Sequence, residues 1–129
     1  MVEQKRKIFG WYKEELFDVE GITLNPEPST TKNCFWRITA VLDKRLGIEK
    51  DYLMQEMSRR SIDCRPFFNP LSSLPAYAHL EESQKARRRN SKSYAICPYG
   101  INLPSALNLN NEKVKYVCDE LKEIISRPA

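Results

Sequence analysis

The spacing of apolar and polar positions puts the start of this chain in a helical register. In VEQKRKIFGWYKEELFDVEG, Ile8, Tyr12 and Leu16 recur every fourth residue with Phe9 and Val19 beside them. This is one apolar stripe on a helix, and Gly21 is placed to stop it. No Ser, Thr, Asp or Asn precedes the first turn, and the early charges are mainly basic, the wrong sign for a helix start. The helix therefore reads as cut inside a longer element. A short strand, Ile22 to Leu24, is expected next. CFWRITAVLD then alternates as a strand, with Trp36, Ile38, Ala40 and Leu42 on one face and Phe35, Arg37, Thr39 and Val41 on the other. One apolar face and one mixed face suit a sheet covered by helices on one side.

Helical spacing returns from Ile48 to Arg60, where Ile48 and Leu53 form a staple around Glu49 as the cap and Leu53, Met54 and Met57 supply the buried face. SIDCR predicts a short strand, a third helix is expected from about Ser83 to Ile96, and YGINLP reads as a turn with a short extended piece. The last helix is the clearest. Asn110 caps it, Leu109 and Val114 staple it, and Val114, Val117, Cys118, Leu121, Ile124 and Ile125 keep helical register. The order α-β-β-α-β-α-β-α predicts an α+β fold, helices over a small sheet.

Composition narrows the class. With 129 residues, 41% apolar and 29% charged, residues 1–129 are expected to form a single folded domain rather than a disordered chain. The net charge of +4 is concentrated at Arg87, Arg88 and Arg89, flanked by Lys85 and Lys92. A solvated helix face explains that run better than a nucleic-acid site, because no aromatic residues interleave it. Cys34, Cys64, Cys97 and Cys118 stand about thirty residues apart inside apolar or periodic runs, so they read as core thiols; with His79 the single histidine, no metal site is expected. No apolar run approaches the ~20 residues of a membrane span, and a reduced cytoplasmic location is expected.

One stretch resists reading as scaffold. RPFFNPLSSLPAY, Arg65 to Tyr77, puts two phenylalanines, a tyrosine and an arginine on a segment stiffened by Pro66, Pro70 and Pro75. Rigid aromatic surface of this kind suits packing on a sugar ring or a neighbouring domain, and Arg65 suits bidentate pairing with a carboxylate or pyrophosphate. The plainer alternative is that Phe67 or Phe68 plugs the core.

SIDCRPFFNPLSSLPAY, followed by ARRRNSKSYAICPYGINLPSALNLNNEKVKYVCDEL, resembles the C-terminal part of the DegT/DnrJ/StrS sugar aminotransferases. The likeness is nearest to the GDP-perosamine synthase type, with its Arg-Pro-aromatic-aromatic-x-Pro-Leu run, and it covers about Lys5 to Ser126. The resemblance implies the small C-terminal domain of a fold-type-I, aspartate-aminotransferase-like pyridoxal-phosphate enzyme of polysaccharide biosynthesis, with a small, mostly antiparallel sheet. The parent would move an amino group from glutamate to a 4-keto-6-deoxy sugar on a nucleotide, as a homodimer.

The cofactor lysine and phosphate cradle would belong to a large domain, here the implied partner. None of the eleven lysines has the family's cofactor context, so the chain alone is expected to hold neither cofactor nor catalytic residue. Its implied contribution is a substrate-side wall of Arg65, Phe67, Phe68, Ser72 and Tyr77, with Ile8, Phe9, Tyr12 and Phe68 exposed where the large domain packs. Many relatives have histidine at Ser72 and glycine at Ser61; the first leaves the sugar open, and the second is expected to cost little. The alternative is a stand-alone binding or interaction module that has lost catalysis.

Overall fold

In the computed structural model, which describes residues 1–127, the first helix, α1, runs Val2–Glu15 with no side-chain cap. Strands β1 (Ile22–Leu24) and β2 (Ile38–Leu42) pair antiparallel, Ile22 opposite Leu42. Helix α2 (Lys50–Arg59) leads to β3, only Arg65–Pro66. Three short helices follow, α3 (Pro75–Ala78), α4 (Glu81–Arg89) and α5 (Ser91–Ile96), then β4 (Gly100–Leu103) and the long α6 (Asn111–Ser126). The sheet order is β1-β2-β4-β3, antiparallel throughout, so the fold is the expected α+β arrangement of helices on a small sheet.

One core explains the arrangement. Ile38, Ala40 and Leu42 of β2 and Ile101 and Leu103 of β4 meet Ile8 and Tyr12 of α1, Leu53 and Met57 of α2, and Val114, Cys118 and Leu121 of α6. Each of the larger side chains, closed off from solvent, stabilises the fold by roughly 1.5–3 kcal/mol. The Tyr12 hydroxyl donates to the Pro104 carbonyl at 2.9 Å, which satisfies the polar end of an otherwise buried ring. Asn110 caps α6 through the Lys113 amide, as expected. Arg60 bridges Glu56 of α2 and Glu120 of α6 at 2.8 Å each.

The structure corrects several expectations. Gly21 does not stop α1, which ends six residues earlier, at Glu15; at φ +84 it leads into β1 and accepts from the Asp43 amide. The strand predicted from Cys34 begins only at Ile38. Phe35 takes φ +48, so its ring turns inward and stacks on Phe9 at 3.6 Å between centroids, while Trp36 turns out to solvent. Both aromatic residues therefore lie opposite to their assigned faces. Cys34 is exposed rather than a core thiol; Cys64, Cys97 and Cys118 are buried.

Glu49 makes no side-chain cap, although Ile48 and Leu53 are buried as a staple requires. The third helix breaks at Asn90, and the extended piece after Tyr99 is an interior strand of the sheet. Ile8, Phe9 and Tyr12 are buried within the chain, so they form no open patch. Ser61 carries a cost the sequence reading missed. It sits at φ +59 just after α2, its amide bonded to Ser58 and the Ile62 amide to Met57, the paired closure that favours glycine.

Candidate functional site

The sheet has a second face, opposite the core, and register decides what stands on it. Thr39, Asn102 and Arg65 lie side by side across β2, β4 and β3. The Asn102 amide is buried: Thr39 Oγ1 donates to its Oδ1 at 2.9 Å, and its Nδ2 donates to the Pro66 carbonyl at 2.9 Å. Arg37, two residues before Thr39, has its guanidinium 4.6 Å from the Trp36 ring centroid and 5.2 Å from that of Phe68. Both rings are largely exposed, at 59% and 62%. Such contacts attract a guanidinium to both rings.

Two adjoining clefts open here. The first, of about 600 Å³, lies where β2 begins, β4 ends and α6 starts, and is lined by Trp36, Arg37, Asp63, Arg65, Asn102, Lys113 and Tyr116 among others. The second, of about 620 Å³, continues along the proline-rich segment past Arg37, Arg65, Phe67, Phe68, Asn69 and Leu71. Arg65 is exposed and pairs with the exposed Asp63 at 3.0 Å, a contact weak enough to open for another anion. Phe67 is half-buried over Gly100, with its amide donating to the Gly100 carbonyl at 3.1 Å.

Of the five residues singled out from the sequence, the structure brings Arg65, Phe67 and Phe68 into one cleft. Ser72 and Tyr77 lie in a neighbouring cleft of about 550 Å³ between the proline-rich segment and α4–α5. There the Ser72 hydroxyl shares a 2.8 Å hydrogen bond with Tyr94. Arg37 and Trp36 escaped the sequence reading. The available signal was an arginine in a strand, flanked by tryptophan, on the mixed face. The basic run is solvated: Lys85 pairs with Glu81 and Glu82, and Arg87 lies over the Tyr94 ring.

The chemistry open to these groups is binding. Behind Arg65, burial, aided by the Asp63 charge, pushes the Cys64 thiol up to about 12, so it remains a neutral thiol. No cluster of three His, Cys, Asp or Glu side chains placed to hold a metal occurs among the described residues. No described helix is long and apolar enough to cross a membrane.

Pyridoxal phosphate does not fit the residues present. The half-buried lysines are already engaged: Lys5 with the Trp36 and Ser105 carbonyls, Lys50 with Asn69 and Cys97, and Lys122 with Glu15 and Asp119. None stands free beside an anion cradle.

Residues 1–122 match the DegT/DnrJ/EryC1/StrS aminotransferase family. The chain belongs to that family. It is similar to GDP-perosamine synthase of Vibrio cholerae, 33% identical over 122 residues, covering 95% of this chain and 32% of that protein. It is also similar to GDP-perosamine synthase of Escherichia coli O157:H7, 27% identical over 125 residues, covering 97% of this chain and 32% of that protein. Among solved structures, DesI in the presence of its TDP-sugar product superposes with a TM-score of 0.83 at 16% identity, over 98% of this chain and 32% of DesI. This family member thus spans about a third of the length of the curated relatives it matches.

Proposed function

We propose that this chain is the substrate-side domain of a nucleotide-sugar aminotransferase, one that passes an amino group from glutamate to a 4-keto-6-deoxy sugar in the manner of a GDP-perosamine synthase. Pyridoxal phosphate and its lysine belong, on this reading, to a large domain against which the chain packs, in a cytoplasmic homodimer. Family membership and the names of the relatives support the reaction class. The observation that carries the reading is the gathering of Arg65, Phe67 and Phe68 around one open cleft on the face of the sheet opposite its core. Phe68 offers a flat apolar surface to a ring, and Arg65 offers a forked donor to an anion.

The test joins the chain to the cofactor-binding part of the Vibrio cholerae relative. Arg65→Ala then lowers kcat/KM for the nucleotide sugar tenfold to a hundredfold, the loss of one charge-assisted contact of about 2 kcal/mol. Phe68→Ala lowers it in the same direction. The half-reaction with glutamate, which involves no sugar, keeps its rate. A parallel fall in both half-reactions, together with loss of bound cofactor, makes the segment a folding element and ends the proposal.

A further inference from the structure

Arg37 is unusual among the charged groups of this molecule. It is half-buried, yet among the described residues no carboxylate pairs with it, and its buried Nε has no acceptor. Buried donors almost always have a partner, so an orphan of this kind needs an explanation. The guanidinium carbon lies 4.6 Å from the Trp36 ring centroid and 5.2 Å from that of Phe68, so attraction to both rings holds the group in place while its N–H donors keep their bonding capacity. A planar fork held in this way matches two oxygens of one anionic group.

A second cation stands on the same side of the sheet. Pairing places Arg65 in line with Thr39 through Asn102, Arg37 lies two residues before Thr39, immediately ahead of β2, and both arginines line both adjoining clefts. Lys113 of α6 adds a third positive charge at the rim of the first cleft, where Asp63 is the one carboxylate among the lining residues. The balance is cationic, and the combined space is larger than one carboxylate fills.

We propose that Arg37 and Arg65 together form a diphosphate-binding site, with Arg37 as the preorganised member and Arg65 swinging from Asp63 to join it. This rests on the nucleotide-sugar reading above for the identity of the ligand, but not for the existence of the site. The diphosphate crosses between the two clefts, and Trp36 and Phe68 flank it.

Inorganic pyrophosphate and GDP serve as probes of the 129-residue chain. Titration is followed by calorimetry and by tryptophan fluorescence, since Trp36 lies against the binding group. Pyrophosphate binds the unaltered chain, more weakly as salt rises, and Arg37→Gln weakens it at least tenfold. Arg37→Lys recovers only part of that loss, because an ammonium lacks the fork. Arg65→Gln, a change at an exposed side chain, also weakens binding and guards against a folding defect in the Arg37 variants.

No binding at millimolar pyrophosphate overturns the proposal, and so does equal binding by Arg37→Gln. GDP binding that is undiminished in Arg37→Gln leaves the nucleotide-sugar reading in place and removes this site. Arg37-dependent pyrophosphate binding that GDP does not exceed keeps the site and removes the nucleotide.

Discussion

Gly100→Ala tests how the proline-rich segment is seated. Gly100 has ordinary extended geometry, φ −103 and ψ 137, so alanine meets no backbone strain there. The obstacle is contact: a Cβ at this position falls 2.8 Å from both Cβ and Cγ of Phe67. Normal separation begins near 3.4 Å, so the Phe67 ring must retreat by about 0.6 Å. Pro66 stiffens the chain beside it, and the Phe67 amide is bonded to the Gly100 carbonyl, so the retreat strains the short pairing of β3 with β4.

Overpacking of this kind costs about 1–3 kcal/mol, offset by roughly 0.4–1 kcal/mol from the stiffer unfolded chain that alanine gives. The net loss, about 1–2 kcal/mol, lowers Tm by roughly 3–8 °C for a chain of this length. Thermal melts followed by circular dichroism measure it, in the native background and with Phe67→Ala. Once the ring is gone, Gly100→Ala should be neutral or slightly stabilising. An equal cost in both backgrounds, or none in the first, refutes the placement of Phe67 over Gly100.

Three other outcomes are expected. Ser61→Gly relieves a left-handed serine and raises stability by about 0.5–1 kcal/mol after the unfolded-state entropy is subtracted, readable as a shifted urea midpoint at constant slope. Iodoacetamide at pH 8 alkylates exposed Cys34 first, while Cys64 and Cys118, both pushed up to about 12 chiefly by burial, react only on unfolding; peptide mass spectrometry separates them. The side-chain bond from Arg6, and then the Asn33 amide, hold the Glu27 carboxyl at about 2, below its free value of 4.5. A depressed carboxylate stabilises the fold above its unfolded pKa. That contribution is lost as pH falls from about 4.5 through 2, so the Asn33 amide resonance should move in that window and not between pH 6 and 8.

Apolar periodicity carried the helices and their buried faces because side-chain spacing alone reports them: the stripes of α1 and α6 are the stripes of the core. It failed wherever a single backbone angle decided the outcome. Phe35 and Trp36 look like successive strand residues until φ +48 at Phe35 turns one inward and the other outward. Asn90 interrupts what reads as one helix, and Ser61 hides a left-handed turn behind a residue that does not advertise it.

For the proposed binding face, the motif marked Arg65 and its phenylalanines. Arg37 carried only the weaker sign of a place beside tryptophan on the mixed face, and its nearness to Arg65 emerged from pairing across the sheet, a relation between residues far apart in the chain. Ser72 and Tyr77, close to Arg65 in sequence, face a different cleft because the turn at Leu71–Ser73 and the short helix α3 redirect the chain.

The buried amide of Asn102 has a mechanical consequence. One side chain grips the Thr39 hydroxyl on one neighbouring strand and the Pro66 carbonyl on the other. The strand that Arg37 leads into and the two-residue edge carrying Arg65 are thereby clamped to a common crossbar, and the gap between their backbones behaves like the fixed jaws of a caliper. On the proposed diphosphate reading, what adjusts to a guest is side-chain reach alone, and guests are sorted by span before they are sorted by charge.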